Sequence, residues 1–342
     1  MKPNIKDMTL DELGVKIAQW GYPQFHARQI FSWMYQQGVL EFKDMTNIPS
    51  SLRKKLIDNY CCSEMKIAKI IESNDGTKKL LLAMHGNECI EAAFIPAEKR
   101  ATGCLSCQVG CGFSCAFCAS GSKGLTRNLS SGQILDEAVY LKRCAPKFLL
   151  SHVVFMGMGE PFDNYDNVLK AARVINADYG LHIGARRITI STCGIPEGIK
   201  RLAKENLQIE LSVSLHAADD AVRSKLMPVN RKYPLNVLFS AIKEYVKTTN
   251  RQVTFEYVLV DGANNGLKDA ARLVALLKAL NCKVNLIPYN PVEAGRLKAP
   301  SRESVKEFKG FLEKKGVTVT VRRSRGQDID AACGQLRMRY EN

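Results

Sequence analysis

Three of the four cysteines in the run CQVGCGFSCAFCAS have the spacing C-x3-C-x2-C. They are Cys111, Cys115 and Cys118, and small residues such as Gly110 and Gly112 lie among them. Three thiolates on one short loop can bind three corners of a cubane four-iron, four-sulfur cluster, and small residues let the backbone wrap closely around it. Three protein ligands leave the remaining iron open for a substrate. The spacing therefore predicts a [4Fe-4S] cluster with an open coordination position.

A structural zinc site is the alternative interpretation of the same cysteines. Such a site needs four ligands, and Cys104 or Cys107 could supply the fourth. The two close pairs of Cys or His that are typical of zinc modules are missing from this sequence. A set of three unrelated buried cysteines is the other alternative. Metal analysis separates a cluster, with several irons per chain, from a single zinc ion.

Further residues that could bind a ligand follow the ends of predicted strands. Gly159 and Glu160 come directly after one strand in MGMGEP. Glycines let a ligand approach the backbone, and a carboxylate can accept hydrogen bonds from an ammonium group. The polar residues that end three other predicted strands are Ser191, Ser214, His216 and Asn290. Taken alone, MGMGEP also fits an ordinary tight turn, and His216 also fits a structural histidine.

A further cysteine, Cys333, lies in DIDAACGQL near the end of the chain. A free cysteine at such a position is often a small buried apolar side chain. Three arginines precede it, and they would lower the pKa of its thiol if they were also close in space. They are Arg322, Arg323 and Arg325. The sequence leaves both interpretations of Cys333 open.

Strand-like and helical segments alternate from about residue 101 onward. The predicted strands cover 104–109, 152–156, 187–191, 210–215, 254–260 and 283–288, with a last strand at 318–322. The predicted helices cover 132–143, 164–178, 196–204, 235–248, 267–280 and 302–315. Six β-α units in series indicate a parallel sheet, either curled into a barrel or open and doubly wound. Both arrangements bring the carboxyl ends of the strands, and the residues above, to one edge.

The segment before this alternation has a different pattern. Thr9 and Glu12 have the spacing of a helix capping box, further helices are predicted over 25–37 and after Pro49, and three strands follow. These strands are predicted at 65–71, 79–84 and 90–95. We therefore predict a small helical and β-hairpin accessory domain over residues 1–96, followed by an α/β core over 97–342.

The composition indicates a globular protein with an anionic partner. The chain has 342 residues, of which 46% are hydrophobic and 24% charged, so a disordered or fibrous chain is excluded. The net charge of +15 favours RNA or DNA, although a merely soluble basic surface has the same charge. A membrane surface is disfavoured because no basic amphipathic helix stands out. Basic clusters lie at Arg53–Lys55, Arg186–Arg187, Arg322–Arg325 and Arg337–Arg339.

The cysteine content bears on the cellular compartment. The sequence has twelve cysteines, and its first residues lack the apolar core of a secretory signal. No apolar stretch approaches the length of a membrane helix. We therefore expect a cytoplasmic protein in which the cysteines serve metal binding or redox chemistry. We also expect a monomer, because no coiled-coil heptad or apolar strip suggests association.

Several segments that include these residues together resemble one known family. The segments are RATGCLSCQVGCGFSCAFCASG, VFMGMGEPFDN, RITISTCGIPEGI, SLHAADDAVRSKLMPVN, TFEYVLVDGANN, NLIPYNP and GQDIDAACGQLR. They resemble the RlmN/Cfr family of RNA adenine methyltransferases, in the radical S-adenosylmethionine (SAM) superfamily. The resemblance covers nearly the whole chain and implies a partial (β/α)6 barrel. It also implies two SAM molecules per turnover and a [4Fe-4S] cluster on Cys111, Cys115 and Cys118.

The resemblance also implies roles for individual residues. Gly159 and Glu160 would hold the amino group of SAM. The residues that would bind its carboxylate and ribose are Ser191, Ser214, Leu215, His216 and Asn290. Cys333 would be methylated and form a covalent RNA adduct, Glu91 would remove the ring proton, and Cys104 would release the product as a disulfide. Cys107 stands where the family usually has serine, so a second thiol competes with Cys104 for that role.

The two branches of this family differ in the carbon that they methylate. The RlmN branch acts on C2 of an adenosine in the peptidyl transferase centre of 23S rRNA and of an adenosine beside the tRNA anticodon. The Cfr branch acts on C8 of the same rRNA adenosine. Pro161 and the segment FIPAEKRAT resemble the first branch. Flavodoxin or ferredoxin would supply electrons, and a non-catalytic, zinc-stabilised RNA-binding protein is the alternative from a different class.

Overall fold

The computed structural model describes residues 2–98, 100–144, 149–291, 297–322 and 325–336. Three arginines of the predicted basic clusters therefore lie outside the described residues: Arg323, Arg337 and Arg339. No helix in the described part of the chain has both the length and the apolar character needed to cross a bilayer.

The N-terminal part contains the predicted helices and strands. Helix α1 (Leu10–Gln19) begins with the predicted capping box, in which Thr9 and Glu12 each bond the other's backbone N–H. The next elements are α2 (Phe25–Phe31), extended by a π-helical turn (Ser32–Gln36), and α3 (Ser50–Asn59). The first three strands are β1 (Lys66–Glu72), β2 (Lys78–Ala83) and β3 (Cys89–Ala97). Ile30, Phe31 and Met34 are fully buried, as their spacing predicts.

The rest of the chain alternates between strands and helices. The strands are β4 (Arg100–Cys104), β5 (Gln108–Gly110), β6 (Leu125–Asn128), β7 (Leu149–Phe155), β8 (Ile188–Thr192), β9 (Glu210–Ser214), β10 (Val253–Leu259), β11 (Cys282–Pro288) and β12 (Val319–Val321). The helices are α4 (Ser131–Arg143), α5 (Tyr165–Asn176), α6 (Pro196–Ala203), α7 (Asp220–Leu226), α8 (Leu235–Thr249), α9 (Leu267–Leu277) and α10 (Arg302–Lys314).

Ten of these strands form one sheet in the order β1-β2-β3-β4-β7-β8-β9-β10-β11-β12. The pairs from β1 to β4 are antiparallel, and those from β4 through β12 are parallel. Six strands, β4 and β7–β11, thus form the predicted parallel set, and the sheet keeps two open edges at β1 and β12. The α/β class and the partial six-unit barrel are confirmed.

The predicted strand at 104–109 is wrong, because the chain bends in the middle of this segment. Cys104 is the last residue of β4, and Gln108 begins β5, which pairs with β6 in a separate two-stranded sheet. The backbone N–H of Leu105 still bonds Val154, but that of Cys107 turns to the carbonyl of Met158. The bend creates the β5–β6 hairpin, whose connecting loop carries the three clustered cysteines.

The accessory strands join the barrel directly. Residue 96, where the accessory domain is predicted to end, lies within β3, and β3 pairs with β4. At the N-terminus, the Lys6 ammonium is 2.7 Å from the Asp136 carboxylate of α4, and both side chains are fully buried. Asn4 donates a further hydrogen bond to Asp136. The division into two domains stays a prediction, and these contacts describe how its two parts meet.

Candidate active site

The three cysteines of the β5–β6 loop line one cavity inside the mouth of the barrel. Burial raises the pKa of Cys111 to about 12 and that of Cys115 well above its usual value, and the neighbouring thiols raise both further. The backbone N–H of Cys118 bonds the carbonyl of Cys115 at 3.1 Å, which holds the turn between them. Buried thiols with raised pKa values lose their protons when a metal cation binds them. Three such thiolates are the ligands that an iron–sulfur cluster prefers.

The described residues contain no group of three His, Cys, Asp or Glu side chains placed to share one metal ion. Thiolates that hold a cubane cluster each bind a different iron, so they need not meet at a single point. The loop is compact, since a Cβ on Gly121 would lie 2.9 Å from the Cα of Ser114. The three cysteines therefore fit a [4Fe-4S] cluster as its protein ligands.

Six of the seven residues expected to bind SAM line the same cavity as the cysteines: Gly159, Glu160, Ser191, Ser214, His216 and Asn290. They lie at or just beyond the carboxyl ends of β7, β8, β9 and β11, as the parallel sheet requires. Leu215 is not among the described residues that line the cavity. It is fully buried, and its backbone N–H bonds the carbonyl of Glu256.

Glu160 and Gly159 form a tight turn against β5. Gly159 has a φ of 101°, and a Cβ there would lie 2.6 Å from the Cβ of Gln108, so only glycine fits. The Glu160 carboxylate accepts hydrogen bonds from the backbone of Phe162 at 3.0 Å and of Cys193 at 2.6 Å. Burial raises the pKa of Glu160. Each oxygen keeps lone-pair capacity for a ligand, so the turn is both a structural feature and a candidate ammonium site.

His216 follows β9 in a left-handed conformation with a φ of 58°. Its Nδ1 accepts a hydrogen bond from the backbone N–H of Val258 at 3.0 Å, which leaves the proton of the neutral ring on Nε2. The ring packs edge-on against Phe117, with centroids 4.6 Å apart. Burial, followed by the charge of Arg223, lowers the pKa of His216 to about 3. The structure thus gives His216 a satisfied structural bond and a neutral donor at the cavity.

This geometry predicts a pH-dependent contribution of His216 to stability. An unfolded histidine has a pKa near 6.5, so between about pH 6.5 and pH 3 the unfolded chain binds a proton that the folded chain does not. The contribution is complete above about pH 6.5 and falls as the pH is lowered. His216→Asn keeps an acceptor for Val258 and tolerates the positive φ, but it does not titrate.

We expect the free energy of unfolding of wild type to fall more steeply than that of His216→Asn between pH 7 and 5, by about 2 kcal/mol. Urea unfolding of the two proteins at three pH values measures the difference. Parallel stability curves would contradict the assigned state of His216.

Arg223 supports the site from behind the cavity lining, and the sequence did not reveal it. It lies on α7, the short helix missing from the predicted elements, and its side chain is fully buried. Its guanidinium donates to the carbonyls of Cys193, Ser214 and Leu215 at 2.8–3.1 Å. Arg223 thereby joins the ends of β8 and β9, which carry the candidate ligand residues. The one sequence feature that could have pointed to it is the single Arg that follows the strand in SLHAADDAVR.

The segment that carries Cys333 is held against the cysteine loop. The backbone N–H of Ala119 bonds the carbonyl of Gly334 at 2.7 Å, and the Ser120 hydroxyl bonds the carbonyl of Leu336. Asn290 donates to the carbonyl of Cys333 at 3.3 Å. Cys333 consequently lines the cavity of the clustered cysteines, although more than 200 residues separate them in sequence.

Cys333 also lines a second, adjoining cavity, and this one contains Cys104. Burial raises the pKa of Cys104 to about 12, Cys333 raises it further, and Arg322 opposes the rise. The Arg322 side chain lines both cavities. The pKa of Arg322 is raised, and the interaction with Cys333 is the main cause. Cys107 is buried and is not among the described residues that line either cavity. The structure therefore brings Cys104, rather than Cys107, to the same cavity as Cys333.

Glu91 lies on β3, the strand that pairs with the Cys104 strand β4. Ala93, two residues further along the same face, pairs with Cys104, and the hydroxyl of Ser106 donates to the carbonyl of Glu91 at 2.7 Å. The Glu91 side chain is buried, with Oε1 3.3 Å from the Lys79 ammonium. Glu91 is not among the described residues that line the two cavities.

Comparison with known proteins agrees with this geometry. Residues 105–274 match the model of the radical SAM superfamily, and residues 3–62 match that of the ribosomal RNA large subunit methyltransferase N-terminal domain. The chain is 46% identical to a probable dual-specificity RNA methyltransferase RlmN of Pelotomaculum thermopropionicum, over 98% of this chain and 91% of the relative. It is 44% identical to the protein of that name from Caldicellulosiruptor saccharolyticus, over 100% of this chain and 99% of the relative.

A solved structure resembles the whole chain. It is a radical SAM methyltransferase from Sphaerobacter thermophilus, which superposes with a TM-score of 0.95 and is 43% identical in sequence. The match covers 98% of this chain and 99% of the other.

Proposed function

The chain belongs to the RlmN family of radical SAM RNA methyltransferases, and we propose that it methylates C2 of adenosine in both 23S rRNA and tRNA through Cys333. The observation that carries this proposal is the position of Cys333. It shares one cavity with the candidate cluster and SAM ligands and a second cavity with Cys104. A cysteine that must first be methylated and later be attacked by another thiol needs access to both.

The candidate cofactor residues divide into two groups around the first cavity. Cys111, Cys115 and Cys118 would hold a [4Fe-4S] cluster, which supplies the electron that cleaves SAM reductively when both are bound. Glu160 would accept hydrogen bonds from the SAM ammonium group, and the neutral His216 would donate one from Nε2. The other polar residues proposed to contact SAM are Ser191, Ser214 and Asn290. Two SAM molecules would be consumed per turnover.

Cys333 is the proposed carrier of the new carbon. Its thiolate attacks the methyl group of one SAM, which forms the S–C bond and releases S-adenosylhomocysteine. Arg322 lines the same cavity and interacts electrostatically with Cys333. A 5′-deoxyadenosyl radical from the second SAM would take a hydrogen atom from the methyl group on sulfur, and the resulting carbon radical would add to adenine C2. The adduct would return one electron to the cluster, and the Glu91 carboxylate would take the proton from that ring carbon.

Cys104 is the proposed resolving thiol. Its thiolate attacks the sulfur of Cys333, which forms an S–S bond and breaks the S–C bond. The electron pair of the broken bond stays with the carbon, which takes up a proton and becomes the methyl group of the product. The resulting disulfide must be reduced by an external dithiol before the next turnover. This route requires two thiols because one carries the carbon and the other displaces it.

The charge of the chain supports a folded RNA substrate. The net charge is +15, and Lys54 is exposed beside Arg53 on α3 of the accessory part. Phosphate contacts by such residues supply sequence-independent affinity. A base inside a stack must also be extracted before it can reach the second cavity. Flavodoxin or ferredoxin is the proposed electron donor, and we propose a cytoplasmic monomer.

C8 methylation of the same rRNA adenosine is the competing activity. The matching relatives carry the RlmN name, and this supports C2. The test is nucleoside analysis of RNA after turnover with SAM and a reductant, and 2-methyladenosine is the expected product.

A further inference from the structure

Lys79 lies between Glu91 and the segment that carries Cys333. Its ammonium is 3.3 Å from Glu91 Oε1 and 3.3 Å from the carbonyl oxygen of Asp330, three residues before Cys333. Both charged side chains are more than 90% buried. A lysine in this position contacts the proposed base on one side and the tail of the chain on the other.

The strand register explains why these groups meet. Glu91 pairs with Leu81, and Ala93 pairs with both Lys79 on β2 and Cys104 on β4. Directly opposed residues share a face of the sheet, so Lys79, Ala93 and Cys104 form one row, with Glu91 as a diagonal neighbour of Lys79. The small Ala93 leaves room in the middle of this row. The proposed base and the proposed resolving thiol therefore flank the same position.

A buried carboxylate is neutral unless a nearby cation or hydrogen bonds favour its charged form. Desolvation disfavours the anion, and an opposite charge within about 4 Å lowers the pKa of a carboxyl by roughly one to three units. A general base must be ionised before it takes a proton, so a cation beside Glu91 favours its action near neutral pH. Breaking the pair would remove the ammonium that lies 3.3 Å from this carboxylate.

Other titratable groups surround Glu91. Cys89 lies on the same face of β3, and burial, followed by the charge of Glu91, raises the pKa of its thiol. The positive charge of Lys123, from the β5–β6 loop, lowers the pKa of the same thiol. From α4, the buried Glu137 accepts from the N–H of Ser106, whose hydroxyl bonds the carbonyl of Glu91. Within this set, Lys79 is the group whose charge lies directly against the Glu91 carboxylate.

We propose that Lys79 is a positioning residue that keeps the Glu91 carboxylate ionised for removal of the adenine ring proton and ties it, through Asp330, to the segment that carries Cys333. This inference rests on the proposed function, because it assigns a partner to the base of that reaction. Lys79 acts through Glu91 and does not itself contact the RNA base.

The test follows the covalent protein–RNA adduct through a single turnover with the full chain. Lys79→Met removes the charge, and Lys79→Arg retains it as the matched control. We expect adduct decay to slow at least about tenfold at neutral pH in Lys79→Met, with its inflection moved up by about one to three pH units. With adenosine deuterated at C2, Lys79→Met is expected to show an isotope effect on decay. Lys79→Arg should keep an inflection near that of wild type.

A wild-type inflection and no isotope effect in Lys79→Met would overturn the inference. If Lys79→Met does not fold, Lys79→Gln is judged by the same two criteria, because it keeps an N–H donor without the charge. Cys104→Ala separates this failure from failure of the proposed function. A Cys104→Ala protein that accumulates no adduct contradicts the covalent route itself, whereas normal accumulation with an unshifted Lys79 variant contradicts only the role of Lys79.

Discussion

Replacement of Cys333 by alanine is expected to abolish methylation while the cluster and the fold are retained. The Sγ of Cys333 is the proposed point of attachment of the new carbon. Among the described residues, the other thiol that lines both cavities is Cys118, which is a candidate cluster ligand. Loss of a covalent nucleophile typically lowers turnover by several orders of magnitude, so we expect at least about a thousandfold reduction. The described hydrogen bonds between this segment, the cysteine loop and Asn290 are accepted by its backbone carbonyls from Ala119, Ser120 and Asn290, so they survive the substitution.

Cys282→Ala is the matched control for this variant. Cys282 is also a partly buried free thiol, but it begins β11 and lies at the opposite end of that strand from Asn290. Iron content and visible absorbance should match wild type in both variants, and only Cys333→Ala should lose product. Retained methylation by Cys333→Ala would refute the covalent route.

Cys104→Ala is expected to stop the reaction at the covalent protein–RNA adduct. The first steps need Cys333, SAM and Glu91, whereas release needs a second thiol to attack the sulfur. Cys104 lines the second cavity together with Cys333 and is nearly fully buried, so a stray small thiol replaces it poorly. A slowly migrating protein–RNA species should therefore accumulate on a denaturing gel, up to about one RNA per active chain.

Cys107→Ala is the control that the structure makes decisive. Cys107 is only three residues away and equally buried, but it faces Gly159 and the carbonyl of Met158 instead of the cavity of Cys333. We expect it to release product without adduct accumulation. If Cys107→Ala accumulated the adduct and Cys104→Ala did not, Cys107 would be the resolving thiol instead of Cys104.

Local sequence patterns predicted the parallel core well. The barrel strands are short apolar runs, and the helices that follow them have apolar residues at helical spacing. Both patterns are visible in neighbouring residues alone. The three candidate ligand cysteines were equally visible, because their spacing is set within one loop. The capping box of Thr9 and Glu12 is a further local signal that the structure contains.

Long-range features could not be obtained in this way. The bend after Cys104 depends on a hydrogen bond from Cys107 to Met158, and a pattern of apolar residues continues through it without a break. The buried Arg223 sits on a helix too short to give a periodic signal, and its three acceptors come from two different strands. Tertiary contacts of this kind override local propensity.

The tail of the chain shows the same limit. Asp328 accepts from the hydroxyl of Ser73 at 2.5 Å and from the N–H of Asn74, while Asp75 accepts from the N–H of Gly326. These bonds join the β1–β2 turn to the Cys333 segment, which lies some 250 residues later. The role of this turn in positioning Cys333 depends on the folded chain and has no local sequence signal.

Nucleoside mass spectrometry tests the central claim most directly. The anaerobically reconstituted protein would be incubated with SAM, a reductant, and either unmodified 23S rRNA fragments or tRNA, and the digested RNA would be analysed. We expect 2-methyladenosine in both RNAs from wild type and none from Cys333→Ala. 8-Methyladenosine, or no methylated adenosine from a protein with an intact cluster, would contradict it.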